Sequence, residues 1–98
     1  MPCNIRYIAP RFPLGRILAT PGAIAEMEKS AKTHSEFLNR HAQGDWGNLD
    51  AHDTKENDFA IDKQLRLLSS YPLPTGKQLW VITEADRSAT TLLLPEEY

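Results

Sequence analysis

The residues of this chain that could do chemistry gather in one stretch, Arg40-His41-Ala42-Gln43-Gly44-Asp45-Trp46-Gly47-Asn48-Leu49-Asp50. His41 and Asp45 stand four apart, a spacing that would let a carboxylate orient an imidazole for acid–base work. Arg40, with Arg87 from far along the chain, offers a cation for an anion, and Glu84 and Asp86 add carboxylates. Ser69, Ser70 and Ser88 are candidate nucleophiles in residue type only. No nucleophile elbow, P-loop, dinucleotide fingerprint or nuclease Glu-x-Lys motif accompanies them. A structural alternative covers the same residues: Asp45 bonds the amides of its own turn, and Arg40 pairs with a helical acid. That reading outweighs catalysis, and no catalytic residue is assigned.

Metal binding is the second chemistry to weigh. His34 and His41 are seven apart and would share one face of an unbroken helix, and His52 follows in the next element. With Asp45, Asp50 or Asp53 they could offer zinc imidazole and carboxylate ligands. The spacing matches none of the compact metal signatures. Cys3, the single cysteine, excludes an internal disulfide and a multi-cysteine site. No metal and no cofactor is expected.

Trp46 is the odd residue, a large aromatic between Gly44 and Gly47 in what reads as a turn. A tryptophan stabilises most when buried, so it either plugs the loop onto the body or stands out as an interface anchor. The candidate binding surface therefore combines Arg40, His41, Asp45 and Trp46 with Glu84 and Arg87. An aromatic beside charges of both signs is what protein interfaces tend to use.

These residues must be held by elements whose signals can be read. Residues 1–14 carry Pro2, Pro10 and Pro13 and read as an extended arm, with Ile5, Tyr7, Ile8 and Phe12 able to dock. Gly15–Thr20 reads as a first strand. Thr20-Pro21 is a helix start, threonine at the N-cap and proline at the first helical position. That helix runs to about Lys32 with Ile24, Met27 and Ala31 on one stripe. Thr33-His34-Ser35-Glu36 fits a capping box for a second helix carrying Phe37, Leu38 and His41. Asp50 or Asp53 caps a third, with Ala60, Ile61 and Leu65 inward. Leu67–Tyr71, Leu79–Thr83 and Thr90–Leu94 are then three strands around two turns, Trp80 being assigned to the core. The sum is one compact α+β domain over 15–98: an N-terminal strand, two to three helices, and a three-stranded antiparallel meander packed against them.

Composition narrows the function classes. A chain of 98 residues supports one modest core. A net charge of −2 removes the overall electrostatic case for nucleic acid or an acidic membrane. Charge is nevertheless uneven. Arg6, Arg11 and Arg16 open the chain without an acid, and with Tyr7 and Phe12 they offer thin support for direct nucleic-acid binding. Residues 50–63 hold Asp50, Asp53, Glu56, Asp58 and Asp62 against Lys55 and Lys63. No long apolar run and no secretory pattern occurs, so no membrane association and a cytoplasmic location are expected.

Several strings add a resemblance. Leu14-Gly15-Arg16-Ile17-Leu18-Ala19-Thr20-Pro21-Gly22-Ala23, Phe37-Leu38-Asn39-Arg40-His41, Gly44-Asp45-Trp46-Gly47 and Leu68-Ser69-Ser70-Tyr71 carry part of it. Trp80-Val81-Ile82-Thr83-Glu84-Ala85-Asp86-Arg87-Ser88 and Leu94-Pro95-Glu96-Glu97-Tyr98 carry the rest. Over Phe12–Tyr98 the chain resembles a family of short, uncharacterised proteins of bacterial plasmids and other mobile elements, sometimes labelled plasmid-related or restriction–modification subunits. The chain has no methyltransferase motif and is far too short to be such an enzyme. The resemblance implies a small accessory binding protein that works on a host protein partner, such as a defence or nucleic-acid-processing complex. The expected function is stoichiometric inhibition of host defence, of anti-CRISPR or anti-restriction type. Two alternatives stand beside it: a small hydrolase or toxin-like nuclease using His41 and Asp45, and a regulatory nucleic-acid- or ligand-binding module.

Overall fold

The computed structural model describes residues 10–98. The readings that fall on residues 1–9, docking by Ile5, Tyr7 and Ile8 and nucleic-acid contact by Arg6 and Tyr7, lie outside the described residues. The chain runs β1 (Arg16–Ala19), α1 (Pro21–Lys29), α2 (His34–Ala42), α3 (Ala51–Lys63), β2 (Leu67–Pro72), β3 (Gln78–Thr83), β4 (Ala89–Leu93) and a short 3-10 turn, Pro95–Glu97. The class is α+β, three helices on a four-stranded mixed sheet in the order β1-β4-β3-β2. β2, β3 and β4 pair antiparallel, while β1 lies parallel to β4.

The meander is antiparallel as expected; the N-terminal strand, whose partner the sequence left open, joins it in parallel, and the cause is the route of the chain. After β1 the helices cross the whole sheet, α1 against β4, α2 against β3 and α3 against β2. The chain then enters the far edge and returns by the meander. Three antiparallel strands bring β4 back beside β1 in the same direction, which a tight turn could not do but a long crossover can.

Local signals explain most boundaries. The Thr20 side chain accepts from the Ala23 amide and Pro21 sits at the start of α1. Asp50 caps α3 by accepting from the Asp53 amide. Three expectations change. α1 stops at Lys29 because the chain turns through Ala31 at φ 55°, which leaves Ala31 exposed; Ile24 is exposed as well, beside β1, and only Met27 of that stripe is buried. Thr33 flanks α2 without a side-chain cap bond, and Glu36 pairs with Lys32 instead of closing a capping box. Leu65 is exposed, because α3 has already ended with Gln64 in the left-handed region.

One sheet face, carrying Leu67, Ser69, Tyr71, Leu79, Val81, Thr83, Thr90 and Leu92, is sealed beneath the helices, each of these residues at 0% exposure. Tyr71, Val81, Leu79 and Leu92 pack there with Phe37, Leu38, Met27 and Ala23. Trp80 points to the opposite face and is half-buried, edge-on to Tyr98, which corrects its assignment to the core. Phe12 is 5% exposed and belongs to the core, with Leu14 packed against it.

The C-terminal turn folds back on α1. The Glu97 carboxylate accepts from the Thr20 hydroxyl, the Gly22 amide and the Leu94 amide. It thereby satisfies an amide at the positive end of the helix. Among the described residues, no helix is long and apolar enough to cross a membrane.

Candidate functional site

The stretch from Arg40 to Asp50 begins as the last turn of α2. Backbone bonds from the Gly44 and Asp45 amides to the His41 and Arg40 carbonyls end the helix. Gly44 and Gly47, at φ 84° and 76°, then turn the chain along the outer edge of β2. There the Ser70 amide donates to the Trp46 carbonyl and the Asn48 amide to the Ser70 carbonyl, a short parallel bridge. The Asn57 side chain of α3 completes the edge, donating to the Leu68 carbonyl and accepting from the Leu68 amide. Loop and helix together seal this side of the sheet.

Trp46 is 3% exposed. Its ring stacks on Phe12 at 6.1 Å and meets His41 edge-on at 5.5 Å, and its indole N–H donates to Asp58 at 3.1 Å. The tryptophan is therefore the plug of its loop. Asp45 and Arg40 form the rim: Arg40 Nε donates to Asp45 Oδ2 at 2.7 Å, and the Gly47 amide donates to Asp45 Oδ1. The bond to Arg40 holds the Asp45 carboxyl below its ordinary value, and the same bond raises Arg40. Arg40 also lies over the Tyr71 ring at 4.4 Å, while the Tyr71 hydroxyl donates to the Asp45 carbonyl.

His41 is fully buried and has no bond to Asp45. Its Nδ1 meets Ser69 Oγ at 2.5 Å and its Nε2 meets Thr83 Oγ1 at 2.9 Å. Proton directions follow from counting donors. Thr90 donates its one hydroxyl proton to the Leu14 carbonyl, so Thr83 must donate to Thr90, and Nε2–H must donate to Thr83. Nδ1 is then the bare nitrogen that accepts from Ser69. The imidazole is thus neutral in one tautomer, and burial, aided by the charge of Arg87, lowers its pKa to about 3. A serine hydroxyl on a histidine is the start of nucleophile activation. Here the third member is a threonine hydroxyl and not a carboxylate, and Ser69, His41 and Thr83 are all at 0% exposure. The arrangement joins α2 to β2, β3 and β4 and offers no face to a substrate.

Arg87 lies beside this cluster. Its guanidinium lies 5.7 Å from the Phe12 ring, and Phe12 in turn touches both His41 and Trp46. Its Nη atoms donate to the Leu65 and Ala60 carbonyls at 2.8 and 2.9 Å, capping the C-terminus of α3. Glu84 remains an exposed residue at the hairpin tip. Of the six candidates, His41 and Trp46 are internal, Arg40, Asp45 and Arg87 are tied into the scaffold, and Glu84 bonds Arg87 through its carbonyl alone, its side chain exposed.

The histidines do not assemble. His34 is exposed at the start of α2, His41 is buried at its end, and His52 is exposed on α3. Among the described residues, Asp50, His52 and Asp53 bring one ligand atom each within 4.8 Å of one another, all on the surface.

Two surfaces lie outside the six candidate binding residues. α3 buries only Asn57 and Ala60, so Asp53, Glu56, Asp58 and Asp62 are exposed along it, with Asp50 at its N-cap; Phe59, 55% exposed, has Lys63 over its ring and Glu56 and Asp62 one turn to either side. At the other end of the sheet an apolar groove of about 580 Å³ opens between β1 and the helices. The signal for the first was the excess of acids over residues 50–63, with little apolar periodicity to bury them. The second carried no local signal, because Ile17 and Ile24 look like ordinary core residues. In comparison with known proteins, no family model, no curated protein and no solved structure matches the chain.

Gly47 tests the clasp directly. A Cβ at this position would run into the Ser70 carbonyl and the Tyr71 ring, and the backbone is left-handed as well. Gly47→Ala is expected to cost at least about 1–3 kcal/mol of strain, with the steric clash added. Gly76, also left-handed at φ 94° but with open space around it, should tolerate alanine better. Denaturant titration of the two variants checks this; equal losses would mean that Gly47 is only a turn residue.

Proposed function

We propose that the chain is a small, non-catalytic binding protein that lays α3 on a basic surface of a protein partner and occupies it one-to-one. The observation that carries this reading is the exposure of five carboxylates along α3 and its N-cap, with Phe59 exposed on the same helix, while His41 and Ser69 are enclosed. An aromatic within a charged surface combines an apolar contact with electrostatic steering. Surfaces that normally bind nucleic acid are the common source of a large basic partner patch. The sequence resemblance to plasmid and mobile-element proteins supplies the setting. The partner in this reading is a host restriction or CRISPR complex, and the effect is inhibition by occupancy.

Affinity capture from a lysate with active restriction and CRISPR systems should recover one such complex, and single-stranded or duplex DNA should compete with it. The triple variant Asp53→Lys, Glu56→Lys, Asp62→Lys should associate about 10–100-fold more slowly at low salt, the difference shrinking as salt rises. Capture that ignores both the charge reversal and the salt would remove α3 as the contact surface. Substoichiometric activity lost on His41→Ala, in a variant that remains folded, would favour an enzyme instead.

A further inference from the structure

The two edges of the sheet are treated differently. β2 is covered by the Trp46–Asn48 loop and by Asn57. β1 is exposed along its whole length, and its residues Arg16-Ile17-Leu18-Ala19 include no lysine, no proline and no bulge to blunt the edge. The Arg16 amide donates to the Ser88 carbonyl and the Thr20 amide to the Leu92 carbonyl. In a parallel ladder of that phase, the N–H and C=O groups of Ile17 and Ala19 point away from β4. Among the described residues nothing pairs with them.

The side chains beside this edge are apolar as well. Ile17 and Ala19 stand in register with Thr90 and Leu92, on the helix side of the sheet. There they line the groove with Ile24, Met27, Glu28 and Lys32. Ile17 is 43% and Ile24 45% exposed. Leu18, on the other face, is 43% exposed.

We propose that a second copy of the chain covers this edge, β1 pairing antiparallel with β1 about a two-fold axis to make one eight-stranded sheet. The outward backbone groups select the register. Placing Ile17 opposite Ala19 of the second copy forms four hydrogen bonds within the strand, and every other two-fold register leaves some of those groups unpaired. Leu18 then faces its own copy across the axis as a close, non-hydrogen-bonded pair. Charge is self-complementary, as an isologous contact requires. The one charge in the strand, Arg16, stands opposite Thr20 and not another Arg16. The groove brings one acid and one base, Glu28 and Lys32, so each copy offers both signs to its mate. α3 lies at the far edge on β2, so the pairing leaves both acidic helices outward and is independent of their role.

Sedimentation and light scattering of the full chain should give twice the chain mass. Leu18→Glu sets two carboxylates on the axis and should give a monomer. Ala19→Pro removes only an outward N–H, which an edge strand tolerates, and should also give a monomer with an unchanged far-UV spectrum. In a Cys3→Ser background, Leu18→Cys should oxidise to a disulfide-linked dimer, because a non-hydrogen-bonded antiparallel pair brings its Cα atoms within disulfide range. Ile17→Cys should not. A monomeric parent, or a dimer indifferent to Ala19→Pro and uncrosslinked at Leu18→Cys, overturns the proposal. The α3 triple variant should remain dimeric, which separates failure here from failure of the α3 reading.

Discussion

Trp46→Ala is expected to cost about 3–5 kcal/mol, the range for removing a large aromatic from a packed interior. The ring contacts Phe12 and His41 and packs with Ala60 and Leu67, so its loss opens a cavity where loop, arm and α3 meet. Domains of this size lose about 4–8 °C of Tm per kcal/mol. The melting temperature should therefore fall by about 12–40 °C. Because total stability is only about 5–15 kcal/mol, part of the variant would be unfolded at 37 °C. Trp46→Phe keeps an aromatic on Phe12 but gives up the bond to Asp58, and should lose much less. Trp80→Ala, at a half-buried site, should also cost less than Trp46→Ala. Calorimetry of the three variants orders them, and a Trp46→Ala loss no larger than that of Trp80→Ala would show that the clasp is dispensable.

Acid should destabilise the protein through His41 before most carboxylates titrate. The unfolded imidazole takes a proton near pH 6.5, whereas the folded one resists until about pH 3. Below pH 6.5 the unfolded state binds one proton more, so stability falls as pH falls, by up to about 1.4 kcal/mol per pH unit. Above pH 6.5 both states are neutral and this contribution is complete. Asp45, held low by Arg40, acts in the same direction at lower pH, since its carboxylate is favoured only in the folded state. Denaturant midpoints measured from pH 7.5 to 4 should show the slope beginning near pH 6.5. In His41→Gln, which is less stable throughout, the segment between pH 6.5 and about 5 should flatten. An unchanged slope in that variant would move the acid sensitivity to other groups.

Both results depend on contacts between residues distant in the chain. Ser69 and Thr83 lie 28 and 42 residues from His41. The four-residue spacing of His41 and Asp45 suggested a pair, but Asp45 lies beyond the end of α2 and turns back to Arg40. Helical spacing lost its meaning once the helix had stopped. Trp80 loses its expected place in the core for a related reason. Trp80 lies in a strand flanked by Leu79 and Val81, and alternation identifies two faces without saying which one the helices cover. Trp46 lies between glycines, where local sequence leaves plug and anchor both open; the loop runs along β2 and turns its ring inward.

What the sequence determined by itself is the local structure. Thr20-Pro21 and Asp50 start helices because a side-chain oxygen and a missing N–H suit orphaned helix ends. The β-branched and aromatic runs between proline, glycine and aspartate turns make β2, β3 and β4. Tertiary structure alone decided that β1 joins β4 in parallel, that the polar loop is an interior clasp, and that the open edge and the acidic helix lie at opposite ends of the sheet. Capping and strand propensity act over a few residues and are written in neighbouring letters. Burial, hydrogen-bond partnership and edge exposure depend on which distant segments meet, and the fold brings those together.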